Sequence, residues 1–251
     1  MNRRSFVVVL TAAIDPAGMT LLTLHDPAVR RQQYARALDF LLRRRPPQVA
    51  GVVFVENTGA DLSDLRAVAA AHPRADVEFI GLNLNHFPRE LGKGYGEFQM
   101  LDQAVAASRL LASADYMVKL TGRLGVGNLS SILANLPPDF DLAGDVAPGW
   151  VDSRLFVVRT RVYRRAITGL YHRMNDSANL FAECLLSTVL GEHPELTVAP
   201  MLPREPYWMG VAGTTGERYD SLRQRLKHPY KAIRRGVRRL LGRGRVRRGI
   251  S

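Results

Sequence analysis

The chain has 251 residues, 46% of them apolar, enough for one large α/β domain with or without an appendage. Its single cysteine, Cys184 in "FAECLLSTVL", reads as a buried small hydrophobe, excludes an internal disulfide framework and a cysteine-rich zinc site, and suits a reducing cytoplasm. The net charge of +12 is unevenly placed: residues 221–251 hold twelve Lys or Arg and no Asp or Glu, leaving 23 basic against 23 acidic residues in 1–220, unlike a globally basic nucleic-acid-binding fold.

"MNRRSFVVVLTAAIDP" resembles a signal peptide in its two arginines, its short apolar run of about nine residues and the small residues after it, but a first core strand, Phe6 to Leu10, accounts for it equally well. That strand also fits the alternation that follows. In "HDPAVRRQQYARALDFLLRR", Asp26 is a helix N-cap, Pro27 takes the first helical position, and apolar residues recur at 29, 34, 38, 41 and 42. "VAGVVFVEN" predicts a second buried strand ending in Glu56 and Asn57, "SDLRAVAAAH" a short helix, and "DVEFIGLNL" a third strand. A glycine loop, "ELGKGYGE", leads into the helix "FQMLDQAVAASRLLA". "ADYMVKLTGRL" predicts a fourth strand that stops at Thr121-Gly122-Arg123, and the helix-like "NLSSILANL" follows. "DFDLAGDV" is a candidate fifth strand, "SRLFVVRTRVY" a sixth passing into a helix, and "DSANLFAECLLSTVLGE" a long amphipathic helix. Strands alternating with helices of this length predict a mostly parallel sheet between helical layers. No segment reaches the roughly 18 apolar residues of a spanning helix.

The tail places Tyr230, Ile233, Val237, Leu240 and Leu241 at helical spacing with arginines between them. A basic amphipathic helix of this kind lies on an anionic membrane surface, apolar face in. A solvated or RNA-binding tail is the competing account. Apart from Tyr230, aromatic residues for base stacking are missing, which weakens the RNA reading. Residues 1–220 are therefore taken as one folded domain and 221–251 as a basic amphipathic tail.

Several groups carry chemistry. Gly92, Gly94 and Gly96, with Lys93 between the first two, precede a helix; glycines permit close backbone approach, and a helix N-terminus favours an anion. The spacing satisfies neither a P-loop nor a convincing dinucleotide fingerprint. Lys119 and Arg123 flank the end of the fourth strand, where α/β enzymes line their ligand crevice. Asp139 and Asp141 form a literal Asp-x-Asp, yet they follow Pro137-Pro138 and open a strand, so turn chemistry explains them. Asp152 and Arg154 open the segment "WVDSRLFVV" and suit a sugar or phosphate, with a strand-edge ion pair as the alternative. Asn175, Asn179 and Glu183 fall at i, i+4 and i+8 on the expected long helix. The apolar neighbours Cys184, Leu185 and Leu186 make Glu183 a partly buried carboxylate and a general-base candidate. The six histidines show no metal-ligand spacing, and no G-x-S-x-G elbow marks a hydrolase.

Taken together, "VVFVENTGADLSDL", "ELGKGYGEFQMLDQAV", "ADYMVKLTGRLGVGNL", "WVDSRLFVVRTRVY" and "LFAECLL" resemble bacterial surface-polysaccharide glycosyltransferases of the capsule and O-antigen type, with a GT-A-like fold. The order G-K-G-x-G-E, K-x-T-G-R, D-[ST]-R-x-F carries the resemblance, over residues 5–190. It implies a three-layer α/β sandwich with a mostly parallel sheet and a nucleotide-sugar lying across the carboxyl ends of the strands. The metal-binding Asp-x-Asp of such enzymes is missing from the expected strand end. Lys119, Thr121, Gly122 and Arg123 stand there instead and would form a cationic clamp on the leaving diphosphate; a structural salt bridge to Asp115 or Asp152 is the competing account. Glu56 and Asn57 would touch the base or ribose, Lys93 the donor or acceptor, and Asp152 and Arg154 the sugar. Glu183 would deprotonate the acceptor hydroxyl in an inverting, hexosyltransferase-like reaction. No metal ligand set is assigned; were Mg²⁺ or Mn²⁺ required, Asp139, Asp141 and Asp152 would be the carboxylates to supply. The expected partners are a nucleotide-sugar, a lipid-linked or glycan acceptor and the inner face of the cell membrane, where the enzyme would be peripheral. A kinase or nucleotidyltransferase needs a Mg²⁺-binding carboxylate pair, and none is well placed. A non-enzymatic RNA-binding protein would explain the tail and leave the neutral body unexplained.

Overall fold

The computed structural model describes residues 4–16, 19, 24–211, 216, 218–219, 221–240 and 246–248. Strand β1 (Phe6–Ala12) is followed by helix α1 (Pro27–Arg43), where Asp26 accepts hydrogen bonds from the amides of Ala28 and Val29 and Pro27 sits in the first turn. Then come β2 (Val49–Glu56), α2 (Ser63–Ala70), β3 (Asp76–Gly81), α3 (Gly92–Ala107), α4 (Arg109–Ser113), β4 (Tyr116–Thr121), β5 (Gly125–Val126) and α5 (Leu129–Ala134). After β6 (Leu142–Ala147) and β7 (Trp150–Arg159), the short α6 (Thr160–Val162) runs into a π turn. Helix α7 (Ala182–Glu192), β8 (Thr197–Ala199), β9 (Trp208–Met209), α8 (Leu222–Leu240) and the two-residue β10 (Arg247–Arg248) complete the order.

The main sheet runs β10-β8-β6-β7-β4-β1-β2-β3. Strands β3, β2, β1 and β4 are mutually parallel, β7 is antiparallel to both β4 and β6, and β8 is parallel to β6. Alternate side chains serve two cores, as the two-residue period of a strand dictates. Phe6, Val8 and Leu10 of β1 pack with α1, α2 and α5. Val7 and Val9 pack with α3, α4 and α7. Each fully buried Val, Leu or Phe contributes about 1.5–3 kcal/mol, so the strand that resembled a signal peptide is a central core strand.

Two expectations are corrected. The glycine loop is the first turn and a half of α3. Glycine in a helix costs about 1 kcal/mol; here it permits contact, because a Cβ on Gly94 would lie 3.0 Å from that of Ala182 and one on Gly96 2.7 Å from the Phe87 ring. Gly92 has φ +82, a conformation other residues rarely take. The long helix over residues 176–192 begins only at Ala182. Asn175 caps a 3₁₀ turn over Asp176–Ala178, and Asn179 is left-handed with φ 58. The stripe Asn175, Asn179, Glu183 therefore does not exist as one helical face. Cys184 is half-buried.

Candidate functional site

A cleft of about 410 Å³ opens at the carboxyl ends of β1, β2 and β4, beside the start of β7 and the N-termini of α3 and α7. It gathers Asn57, Lys93, Gly94, Gly96, Thr121, Arg123, Asp152, Arg154 and Glu183, nine of the residues singled out from sequence. Lys119, Gly122, Glu56 and Gly92 are buried and do not line it.

Lys119 follows from the pleat. It shares the side of β4 that carries Met117, which faces α3 and α7. There it is fully buried, 2.7 Å from Glu97 Oε1, and donates to the Ser153 carbonyl (2.5 Å) and to Thr121 Oγ1 (3.2 Å). Its three N–H donors are thus spent inside the protein, and it is a structural cation rather than an arm of a phosphate clamp. Neither Asp115 nor Asp152 is its partner: Asp115 accepts the Ser5 amide, and Asp152 is taken by Arg154. Glu97 also accepts from Thr11 Oγ1 at 2.7 Å. Burial alone would push the Glu97 carboxyl up, but the Lys119 ammonium and its hydrogen bonds outweigh burial and hold it below the usual carboxylate range.

Gly122 donates its amide to Thr11 O (3.0 Å), and a Cβ there would meet that oxygen at 2.6 Å. The glycine lets the turn after β4 press against the end of β1. Arg123 is thereby aimed into the cleft, 9% exposed, with one long bond from Nη1 to Val211 O (3.4 Å). Glu56 organises loops: its carboxylate accepts the amides of Ile14, Thr58 and Ala60 and the Thr58 hydroxyl. Asn57 does face the cleft, 2% exposed. Its amide nitrogen donates to Gly96 O (3.4 Å), while its side-chain oxygen has no partner.

At the start of β7, Arg154 grips Asp152 through Nε and Nη2, reaches Tyr219 Oη (2.9 Å) and lies 4.8 Å from the Trp208 ring. Between them Ser153 donates its hydroxyl to Glu183 Oε1 at 2.6 Å, in the first turn of α7. Asp176 sits where Gly92 leaves room and accepts from the Lys93 backbone. Burial pushes the Asp176 carboxyl up, Lys93 opposes this and Glu183 reinforces it. A carboxylate pair and a lysine thus occupy the α3–α7 side, and arginines the β1–β4 side. Asp139 and Asp141 are elsewhere, paired with Arg159.

Sequence reading missed Glu97, Ser153, Asp176 and Arg30. Arg30 was findable: it begins the stripe Arg30, Tyr34, Leu38, four residues apart on the buried face of α1. Asp176 was hidden by the long-helix expectation.

No protein-family model matches the chain, and no curated protein matches its sequence. Among solved structures, the mannosyltransferase PcManGT from Pyrobaculum calidifontis, in complex with GDP-Man and Mn²⁺, aligns with a TM-score of 0.54 at 14% identity, over 94% of this chain and 64% of that one. HddC from Yersinia pseudotuberculosis (0.42, 13%, 91% of this chain and 99% of that) and the galactosyltransferase LgtC with donor and acceptor sugar analogues (0.44, 11%, 72% and 69%) are more distant. The chain spans about 64% of the length of the mannosyltransferase, and at this identity the likeness is one of fold. Among the described residues no three His, Cys, Asp or Glu converge to hold a metal ion; Glu97 is tied to Lys119 and Asp152 to Arg154, and Asp176 and Glu183 are the other carboxylates of the cleft. The chain is an α/β protein of GT-A-like fold whose cleft lies at the carboxyl ends of its parallel strands.

Proposed function

We propose that the protein is a glycosyltransferase that moves a sugar from a nucleotide-diphosphate donor to a lipid-linked or glycan acceptor in cell-surface polysaccharide synthesis. The observation that carries this reading is the shared cleft, in which Arg123 at the end of β4 and Glu183 at the start of α7 face one space within a GT-A-like fold. Glu183 takes the proton of the acceptor hydroxyl. The oxygen then attacks the anomeric carbon, and the departing diphosphate keeps the bonding electron pair. One displacement with one base inverts the anomeric centre. Arg123 meets the charge that develops on the diphosphate, as a fork of N–H donors suits, and Thr121 adds a hydroxyl. Asn57, with an unpartnered buried acceptor, takes an N–H or O–H of the base or ribose. Asp152 and Arg154 line the sugar, and Lys93 reaches donor or acceptor. Ser153 holds the Glu183 carboxylate in place.

The tail fits a peripheral role at the inner face of the membrane. Arg235 of α8 is clasped by Asp145 (2.5 and 2.6 Å) and Glu205 (2.7 Å). Tyr230, Ile233 and Val237 are left 68%, 68% and 50% exposed. Leu240 and Leu241 lie outside the residues whose side chains are described. No helix among the described residues is long and apolar enough to cross a membrane. An exposed apolar row among basic residues complements an anionic lipid surface.

The test is calorimetric titration of UDP, GDP and CMP into the full chain, first in EDTA and then with Mn²⁺. Binding of one nucleoside diphosphate, weakened by Arg123→Ala, supports the reading. No binding in either buffer overturns it.

A further inference from the structure

Beside Arg123 lies a second arginine of the cleft, Arg30 on α1, 4% exposed. Its hydrogen bonds go to neutral acceptors: Nε and Nη2 to Ala13 O (2.8 and 2.6 Å), Nη1 to Leu24 O (3.3 Å) and Nη2 to Tyr34 Oη (3.2 Å). These bonds hold the guanidinium rigidly without cancelling its charge. Burial holds the Arg30 pKa below the ordinary arginine value; Tyr34 and the Glu56 carboxylate oppose this, and the charge of Arg123 adds to it. The other strongly held cations here have carboxylates, Lys119 with Glu97 and Arg154 with Asp152. Among the described residues neither Arg30 nor Arg123 makes a direct ion pair; the Glu56 carboxylate, held by backbone amides, attracts Arg30 from farther off. Five N–H groups per guanidinium leave four on Arg123 and one on Arg30 without a described acceptor. Two buried like charges with spare donors facing one cleft carry a cost that Glu56 offsets only in part and that an anion bound in the cleft relieves further.

We propose that Arg30 and Arg123 together form a diphosphate-binding site, in which Arg30 is the rigid arm and Arg123 the arm with free donors. This rests on reading the cleft as the donor site, and it makes Arg30 a binding residue of that site. A single carboxylate or phosphate monoester leaves one guanidinium poorly matched, whereas a diphosphate presents charge and acceptors to both. The same chemistry is offered by a nucleoside diphosphate and by the diphosphate of an isoprenoid-linked acceptor.

The experiment uses the full chain in EDTA with three probes: inorganic pyrophosphate, the UDP and GDP pair, and farnesyl diphosphate. Calorimetry gives affinity, and thermal unfolding reports stabilisation, since an anion that binds only the folded state raises the melting temperature. Wild-type protein binds pyrophosphate. Arg30→Gln weakens it by about tenfold or more, as loss of one charge-assisted contact and of the positive charge behind it requires. Arg30→Lys, which keeps the charge and tests the site should the glutamine variant fail to fold, falls between the two. Pyrophosphate affinity unchanged by the Arg30 variants overturns the site, even when UDP or GDP binds and the glycosyltransferase reading stands. No pyrophosphate binding by wild-type protein overturns it as well. Pyrophosphate binding that depends on Arg30, without UDP or GDP binding, upholds the site and removes the donor reading; farnesyl diphosphate binding then assigns the acceptor as the source.

Discussion

Glu97→Gln removes the counter-charge of a lysine that has no access to water. Lys119 is fully buried, and Glu97 Oε1 at 2.7 Å is its anionic partner; what remains are the Ser153 carbonyl and the Thr121 hydroxyl, both neutral. Stranding one charge of a buried pair costs about 3–5 kcal/mol, whereas removing both partners is far milder. An unfolding entropy of about 2.1 cal/mol/K per residue over 251 residues turns that into a melting temperature lower by about 6–9 °C. Lys119→Met combined with Glu97→Gln should recover most of the loss. The pH dependence has a definite sign. Glu97 is held below the usual carboxylate value, so its contribution is fully present above the unfolded value, about 4.3, and fades as pH falls through the folded one. Glu97→Gln should remove that acid-sensitive part. Thermal and urea unfolding from pH 3 to 7 measures all three. A single variant within about 0.5 kcal/mol of wild type, or a double variant worse than the single, would refute the ion-pair account of Lys119.

Further outcomes separate packing from chemistry. Gly96→Ala ordinarily stabilises a helix by about 1 kcal/mol; here the new Cβ meets the Phe87 ring at 2.7 Å and Asn57 Nδ2 at 3.1 Å, so urea unfolding should show a loss of about 1–3 kcal/mol. Glu183→Gln should lower kcat by about 100-fold or more with donor affinity unchanged in calorimetry. Ser153→Ala should act in the same direction more weakly, because it frees the Glu183 carboxylate without removing it; a change in donor affinity instead would place Ser153 outside this role. Replacing Tyr230, Ile233 and Val237 by serine should abolish flotation with anionic vesicles and spare donor binding, and retained flotation would remove the membrane role of α8.

The strands were legible because each buried run has one residue type and one period: "FVVVL" and "VVFVE" cannot be soluble loops, and helices between them force parallel neighbours. The turn after β4 was legible for the same reason, as Thr121-Gly122-Arg123 breaks an apolar run at the end where α/β sheets bind ligands. Partnerships were not. Lys119 and Glu97 are 22 positions apart and Arg235 and Asp145 are 90 apart, and only packing α3 and α8 onto the sheet joins them. Glycine was misleading: "GKGYGE" has the composition of a loop, but tertiary contact with Ala182 and Phe87 selects glycine inside a helix. The parity of β4 did carry the fate of Lys119, since it alternates in step with buried Met117.

The most direct test of the central claim is turnover: release of free nucleoside diphosphate from a panel of UDP- and GDP-sugars, with anionic vesicles carrying a polyprenyl diphosphate-linked sugar as acceptor, for wild-type protein and Glu183→Gln. Acceptor-dependent release from one donor, reduced about 100-fold or more in the variant while that donor still binds, is the result this account predicts. No release from any donor, or release that is unchanged in Glu183→Gln, would contradict it.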